Sequence, residues 1–279
     1  MTHVTEADLR ARYDFTQSEA HVLAAVELAV RVGGITLLSF LGRFISWNGG
    51  FGAGVAGLAA KIGRSRSLLL DPHEPIAACA DRSMHVASFF FDAARDEYDD
   101  GSTPHRDAHR TLAQATLKGL AEWFKLDAET LRETFDTPLW LIGLENRTQQ
   151  GYGLGSADDL PSIFRAMGFH LGSEVLADRE FSVIDQTLRQ KDPALVRFLL
   201  RSRESIADQK HAAYHWIAVH SGEGGGVEVD HFAWAVKGVE EAFRYVPERH
   251  HAYLREQVLE GFDDFARCHS EFFQRALRD

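Results

Sequence analysis

The chain has 279 residues, 45% of them hydrophobic, and a net charge of −11. That is enough apolar matter for one large core, and the acidic balance, with no basic stretch long enough to track phosphates, argues against nucleic acid as a partner. Two cysteines far apart, Cys79 and Cys268, exclude a disulfide framework and a cysteine-rich metal site and fit a reduced, cytoplasmic compartment.

The N-terminus, Met1 to Ala20, carries charges of both signs and lacks the apolar centre of a signal peptide. Apolar residues at helical spacing predict a helix from Ser18 to Phe44, kinked at Gly33-Gly34. The glycine-rich segment Trp47 to Gly57 breaks it. A membrane span needs about 20 predominantly apolar residues. The stretch Ile35 to Ala60 meets that length only by tolerating Arg43, so it reads as a buried or docked helix pair.

Pro75 sits where a first-turn proline belongs, which predicts a helix from Ile76 to about Tyr98. Asp99-Asp100-Gly101-Ser102-Thr103-Pro104 is a stop and turn. The next helix starts at His105 or Asp107 and runs to Phe124, and Asp127 is a candidate N-cap for a shorter one. Gly151, Gly153 and Gly155 lie in a connecting loop. A phosphate-loop reading fails there, because no strand precedes it and no Gly-Lys-Ser/Thr closes it.

Beyond this loop the pattern predicts a long helix, Leu160 to Leu188, and a further one over Ala194 to Ser202, capped by Asp192-Pro193. Helix is expected again from Glu204 to His220. The run Ser221 to Gly226 breaks it, and helices follow over Val227 to Tyr245 and Glu248 to Leu277. The sum is an all-α, single-domain bundle of seven to ten helices with no convincing strand. Residues 1–75 form an extra N-terminal helical region and residues 76–279 the core.

Fourteen histidines are more than the length predicts, and several stand near acids. Four segments combine carboxylates and imidazoles: Glu97 with Asp99, Asp100, His105 and His109; Glu174; His211, His215 and His220; and Glu228, Asp230 and His231. Residues three or four apart share a helix face, so Glu228 can pair with His231, and His211 with His215. His220 lies nine residues beyond His211, half a turn round the helix. Acids gathered on apolar helices are costly unless a cation neutralises them. Carboxylates with imidazoles suit Fe(II), Mn(II) or Zn(II). The histidines His85, His170 and His269 read as ordinary core or surface residues.

These segments resemble the heme-oxygenase-like di-iron oxidase and oxygenase family, which shares its helical fold with thiaminase II, pyrroloquinoline-quinone synthase and heme oxygenase. Glu97 resembles that family's first Glu, His109 its first His, and Glu174 its middle-helix Glu. His220, Glu228 and His231 resemble its late-helix triplet, and the likeness covers about Asp81 to Tyr245. Seven residues separate His220 from Glu228 where the family has three; an inserted loop at 222–226 restores the alignment, and His105, Asp100, His211 or His215 are alternative donors. The resemblance implies a helical fold holding two Fe(II) ions on Glu97, His109, Glu174, His220, Glu228 and His231. It implies an oxidoreductase using O2 on a small organic substrate, with an external electron donor and a homodimer as further expectations; the charge balance and the interrupted apolar stretch argue against nucleic acid or membrane as partner. A metal-free enzyme in the manner of thiaminase II and a non-catalytic interaction protein are the alternatives.

Overall fold

A computed structural model describes residues 4–101, 103, 106–222 and 227–278, with backbone alone for 177–178 and 227–230. It is all-α apart from one small hairpin. The helices are α1 (Glu6–Arg12), α2 (Phe15–Val32), α3 (Gly34–Asn48), α4 (Phe51–Arg64), α5 (Ser83–Tyr98), α6 (His109–Phe124) and α7 (Ala128–Thr134). They continue as α8 (Leu139–Gly151), α9 (Leu160–Lys191), α10 (Pro193–Arg201), α11 (His215–His220), α12 (Val227–Arg244) and α13 (His251–Arg275). The bundle therefore exceeds the seven to ten helices expected, because α1 and α8 form in stretches given no helix and the first long helix is divided at Gly33 into α2 and α3.

Local chemistry accounts for most boundaries. Asp127, Asp159 and Asp192 each accept a hydrogen bond from a first-turn backbone N–H of the helix they precede. Pro161 and Pro193 follow in the first turn of α9 and α10, where a missing N–H costs nothing. Gly33 takes φ of 67°, which ends α2 and lets α3 leave at a new angle.

Three expectations are corrected. The glycine-rich stretch from Trp47 to Gly57 is largely helical, and its break is confined to Gly49-Gly50. The segment after Pro75 is not α-helix: Ala77–Cys79 makes one 3-10 turn and α5 starts only at Ser83. Glu204 to His220 is not one helix either. Arg203–Ile206 (β1) and Gln209–Ala212 (β2) pair antiparallel, with Ala207 and Asp208 both at positive φ as a two-residue hairpin turn demands, and only His215–His220 is helical. His211 and His215 consequently do not share a helix face.

The core is one hydrophobic cluster reaching from Val4 to Ala276, so α2, α3 and α4 pack into the same interior as the later helices. Its spine is α9 against α13. Gly168 and Gly261 allow that approach, since a Cβ at either would overlap the backbone carbonyl of Val258 or Arg165 on the facing helix. Alongside this spine, Phe44, Trp47, Phe265, Phe272 and Phe273 pack at ring separations of 4.7–6.5 Å, with Trp47 stacked on Phe265 and Phe272. α5 lies between α4 and α12, and α12 also packs on α9. The carboxyl end of α5 is thereby brought beside α6, α9, α11 and α12. Among the described residues no helix is long and apolar enough to cross a membrane.

Candidate metal centre

Glu97 lies in the last turn of α5, and α6 begins at His109. The connection between them is closed by a hydrogen bond from the Asp100 N–H to the Asp107 carbonyl, 2.9 Å. This tight return sets Glu97 Oε1 3.4 Å from His109 Nδ1. His220 closes α11 and places its Nε2 3.2 Å from the same Nδ1. Glu97, His109 and His220 thus bring one carboxylate and two imidazoles together, with donor atoms all within 4.8 Å of one another.

The His220 tautomer follows from its partners. Its Nδ1 is 2.7 Å from the Trp216 carbonyl, and a carbonyl only accepts, so Nδ1 carries the proton. Nε2 then presents a lone pair toward His109. The ring is fixed by stacking on Phe181, with centroids 4.3 Å apart. Burial, with His109 close by, pushes the His220 pKa down to about 4. Burial alone would raise the Glu97 carboxyl, but His109, His220 and His231 outweigh it and hold the group at about 2. For His109 burial works against the charged form, and the carboxylates of Glu97, Asp96 and Asp100 reverse it, raising the pKa above the ordinary imidazole value.

Glu174 and His231 stand next to this group. Glu174, on α9, is 3.2 Å from His170 Nδ1 through one oxygen and 3.4 Å from His231 Nδ1 through the other. Burial opposes ionisation of Glu174, and the two imidazoles overcome it, so its pKa lies below the ordinary carboxylate value. His231, on α12, presents its Nε2 to Asp96 at 3.2 Å.

Five of the six residues read from the sequence are therefore gathered in one region: Glu97, His109 and His220 as a triad, Glu174 and His231 as its neighbours. The side chain of Glu228 lies outside the described residues, as does His105. His211 instead pairs with Asp107 at 3.5 Å and His215 with Asp100 at 3.1 Å, which ties the hairpin and α11 to the connection between α5 and α6. Sequence reasoning passed over Asp96. It read His170 as a core or surface histidine, and the structure buries it against Glu174, four residues on along the same helix face.

The triad fits a metal ion. Two donors each about 2.1 Å from one cation and about 90–110° apart are separated by about 3.0–3.4 Å. The His220–His109 and His109–Glu97 separations are 3.2 and 3.4 Å. Two imidazoles and one carboxylate, leaving positions open, form the ligand set of non-heme Fe(II) oxygenases.

A cavity of about 250 Å³ reaches the triad between α3, α4, α5 and α6. Its walls include Asn48, Gly52, Arg110 and Trp216, together with Glu97 and His109. A larger groove of about 440 Å³ between α8, α9 and α13 is elsewhere. Its arginines are already matched by acids, Arg147 by Glu271 and Arg165 by Asp264 and Glu260. No protein-family model, curated protein or solved structure matches the chain.

Proposed function

We propose that this chain is an iron-dependent oxidoreductase that uses O2 on a small organic substrate. The observation that carries the reading is the convergence of Glu97, His109 and His220, from three different helices, at the spacing of ligands to one cation. Held there, iron supplies the redox chemistry by which O2 reacts with an organic molecule.

The chain's own residues prepare the site in distinct ways. Glu97 is ionised over the whole physiological range, so it offers a full negative charge without first losing a proton. His220 is neutral at pH 7, and its Nε2 lone pair is aimed by the Trp216 carbonyl. His109 releases its proton when a cation takes its place beside Glu97. Glu174 and His231 supply a second carboxylate and imidazole within the same region, as the resemblance to di-iron oxygenases implies. Trp216, Asn48 and the surfaces of α3 and α4 bound a space suited to a small molecule.

The test is iron content. Protein prepared without a histidine tag and loaded anaerobically with Fe(II) is expected to hold stoichiometric iron and to change its absorbance when O2 is added. A helical protein that binds no iron would overturn the reading and direct attention to metal-free acid–base chemistry by the same histidines.

A further inference from the structure

Asp96 is adjacent to Glu97 and faces the opposite edge of the same imidazole. Glu97 Oε1 is 3.4 Å from His109 Nδ1, whereas Asp96 Oδ2 is 3.8 Å from His109 Nε2. The same Asp96 oxygen is 3.2 Å from His231 Nε2, while the other nitrogen of His231 faces Glu174 at 3.4 Å. One carboxylate oxygen therefore stands behind two histidines from two different helices, in each case on the side away from the candidate ligand carboxylates. We propose that Asp96 is a positioning residue that holds the outer nitrogens of His109 and His231 together and so sets the direction in which both rings present their inner nitrogens to metal. This inference rests on the metal-binding reading above.

Three observations support it. A metal-bound histidine characteristically donates its other ring N–H to a carboxylate or carbonyl, which fixes tautomer and orientation and makes the inner nitrogen a stronger ligand. His220 has the Trp216 carbonyl in that role at 2.7 Å. His109 has no such bond in place: its Nε2 is buried without a hydrogen bond, and so is Asp96 Oδ2. The two are one small side-chain adjustment apart. The competing acid, Asp100, is 3.9 Å from His109 Nε2 and is engaged by His215 at 3.1 Å. Asp96 is the nearer of the two carboxylates and the one that also reaches His231.

The placement explains the Asp96-Glu97 dipeptide at the end of α5. Successive helical side chains diverge by about 100°. His109 sits across the end of the helix, so the two diverging carboxylates bracket one ring. Asp96 contributes charge and geometry without being a ligand.

The experiment is a Co(II) titration of the metal-free full-length protein under anaerobic conditions, followed by the visible ligand-field absorption. Asp96→Asn is expected to weaken Co(II) binding about 10–100-fold and to alter the band, while Asp96→Glu restores affinity to within about threefold of wild type. Asp92→Asn, one turn earlier and half-exposed, should match wild type. The thermal unfolding midpoint of the metal-free Asp96→Asn protein should stay at the wild-type value, which a purely structural role would lower. If the asparagine variant does not fold, Asp96→Ser takes its place. Wild-type affinity and an unchanged band in the uncharged variant overturn the positioning role and leave the proposed function standing. A wild-type protein that takes up neither Co(II) nor Fe(II) removes both.

Discussion

Glu97 with His109 and His220, and Glu180 with His269, are both carboxylate–imidazole groups inside the helical core, yet they are built for different ends. Glu180 and His269 meet at 2.8 Å, are almost wholly buried, and have Ser18 Oγ 3.3 Å from the second ring nitrogen. The rings of Trp47, Phe265 and Phe273 close over His269. One acid faces one base in close contact, and among the described residues no further histidine, cysteine or acid converges on the pair. At the other group one carboxylate serves two imidazoles, and two ring nitrogens face each other at 3.2 Å. That convergence of one carboxylate and two imidazoles, beside a cavity, is what a cation completes. A buried Glu–His contact alone is therefore poor grounds for a metal site; the count of convergent donors and access to them decide.

The comparison can be broken at either group. The largest effect is expected from Glu97→Ala, His109→Ala and His220→Ala, each abolishing stoichiometric iron uptake by elemental analysis while helical circular dichroism is retained. Glu180→Ala should leave iron content unchanged, and equal loss of iron there would erase the distinction. Glu174→Ala and His231→Ala are also expected to lose iron, and unchanged stoichiometry in both would confine the site to the triad.

Next in size is a stability effect with the opposite distribution. Glu180→Ala leaves His269 buried without its partner and should cost about 3–5 kcal/mol in urea denaturation. His269→Ala should fall in the same range.

Acidity gives a third test on the metal-free protein. His220 has a folded pKa of about 4, below its unfolded value, so between pH 6.5 and 4 the unfolded chain binds the extra proton. Stability should fall by about 3 kcal/mol as pH drops through that window. Glu97, held at about 2, extends the loss below pH 4.5, where the unfolded carboxyl takes up a proton first. His109, raised by its acids, acts in the other direction. Its contribution is present below pH 6.5 and is lost as pH rises through its folded value. Equilibrium unfolding at a series of pH values reads all three, and a flat profile from pH 7 to 4 would contradict the burial of a neutral His220.

The smallest effect is expected at Gly52. A Cβ there would come within 2.9 Å of the Glu97 Cβ, so Gly52→Ala must displace the carboxylate slightly. About 1–2 kcal/mol of stability should be lost, with a weaker metal affinity as the more telling readout.

Helix content was legible from periodicity, and the starts of α7, α9 and α10 from Asp127, Asp159-Leu160-Pro161 and Asp192-Pro193, because capping is a matter between neighbours in sequence. Glu97, His109, Glu174, His220 and His231 were legible as acids and imidazoles on apolar helices. Asp96 was not, since beside Glu97 on a helix it reads as a solvated charge until α6 and α12 are laid against it. The hairpin from Arg203 to Ala212 was hidden for a similar reason. Glu204, Lys210 and Ala212 fit a helix as well as a strand, and the choice rests on Ala207 and Asp208 adopting positive φ and on packing against α6.

The sequence by itself determined an acidic, helical chain with its few cysteines unpaired and its candidate ligands distributed over four segments, because composition, periodicity and caps act over a few residues. Only the tertiary structure decided which imidazole nitrogen faces which carboxylate. That outcome depends on where the end of α5 meets α6, α9, α11 and α12, and on the glycine contact that lets α9 and α13 form the spine they pack around. A hydrogen bond or a ligand position is set to within about half an ångström, and residues far apart in the chain are held to that tolerance only by the packed core between them.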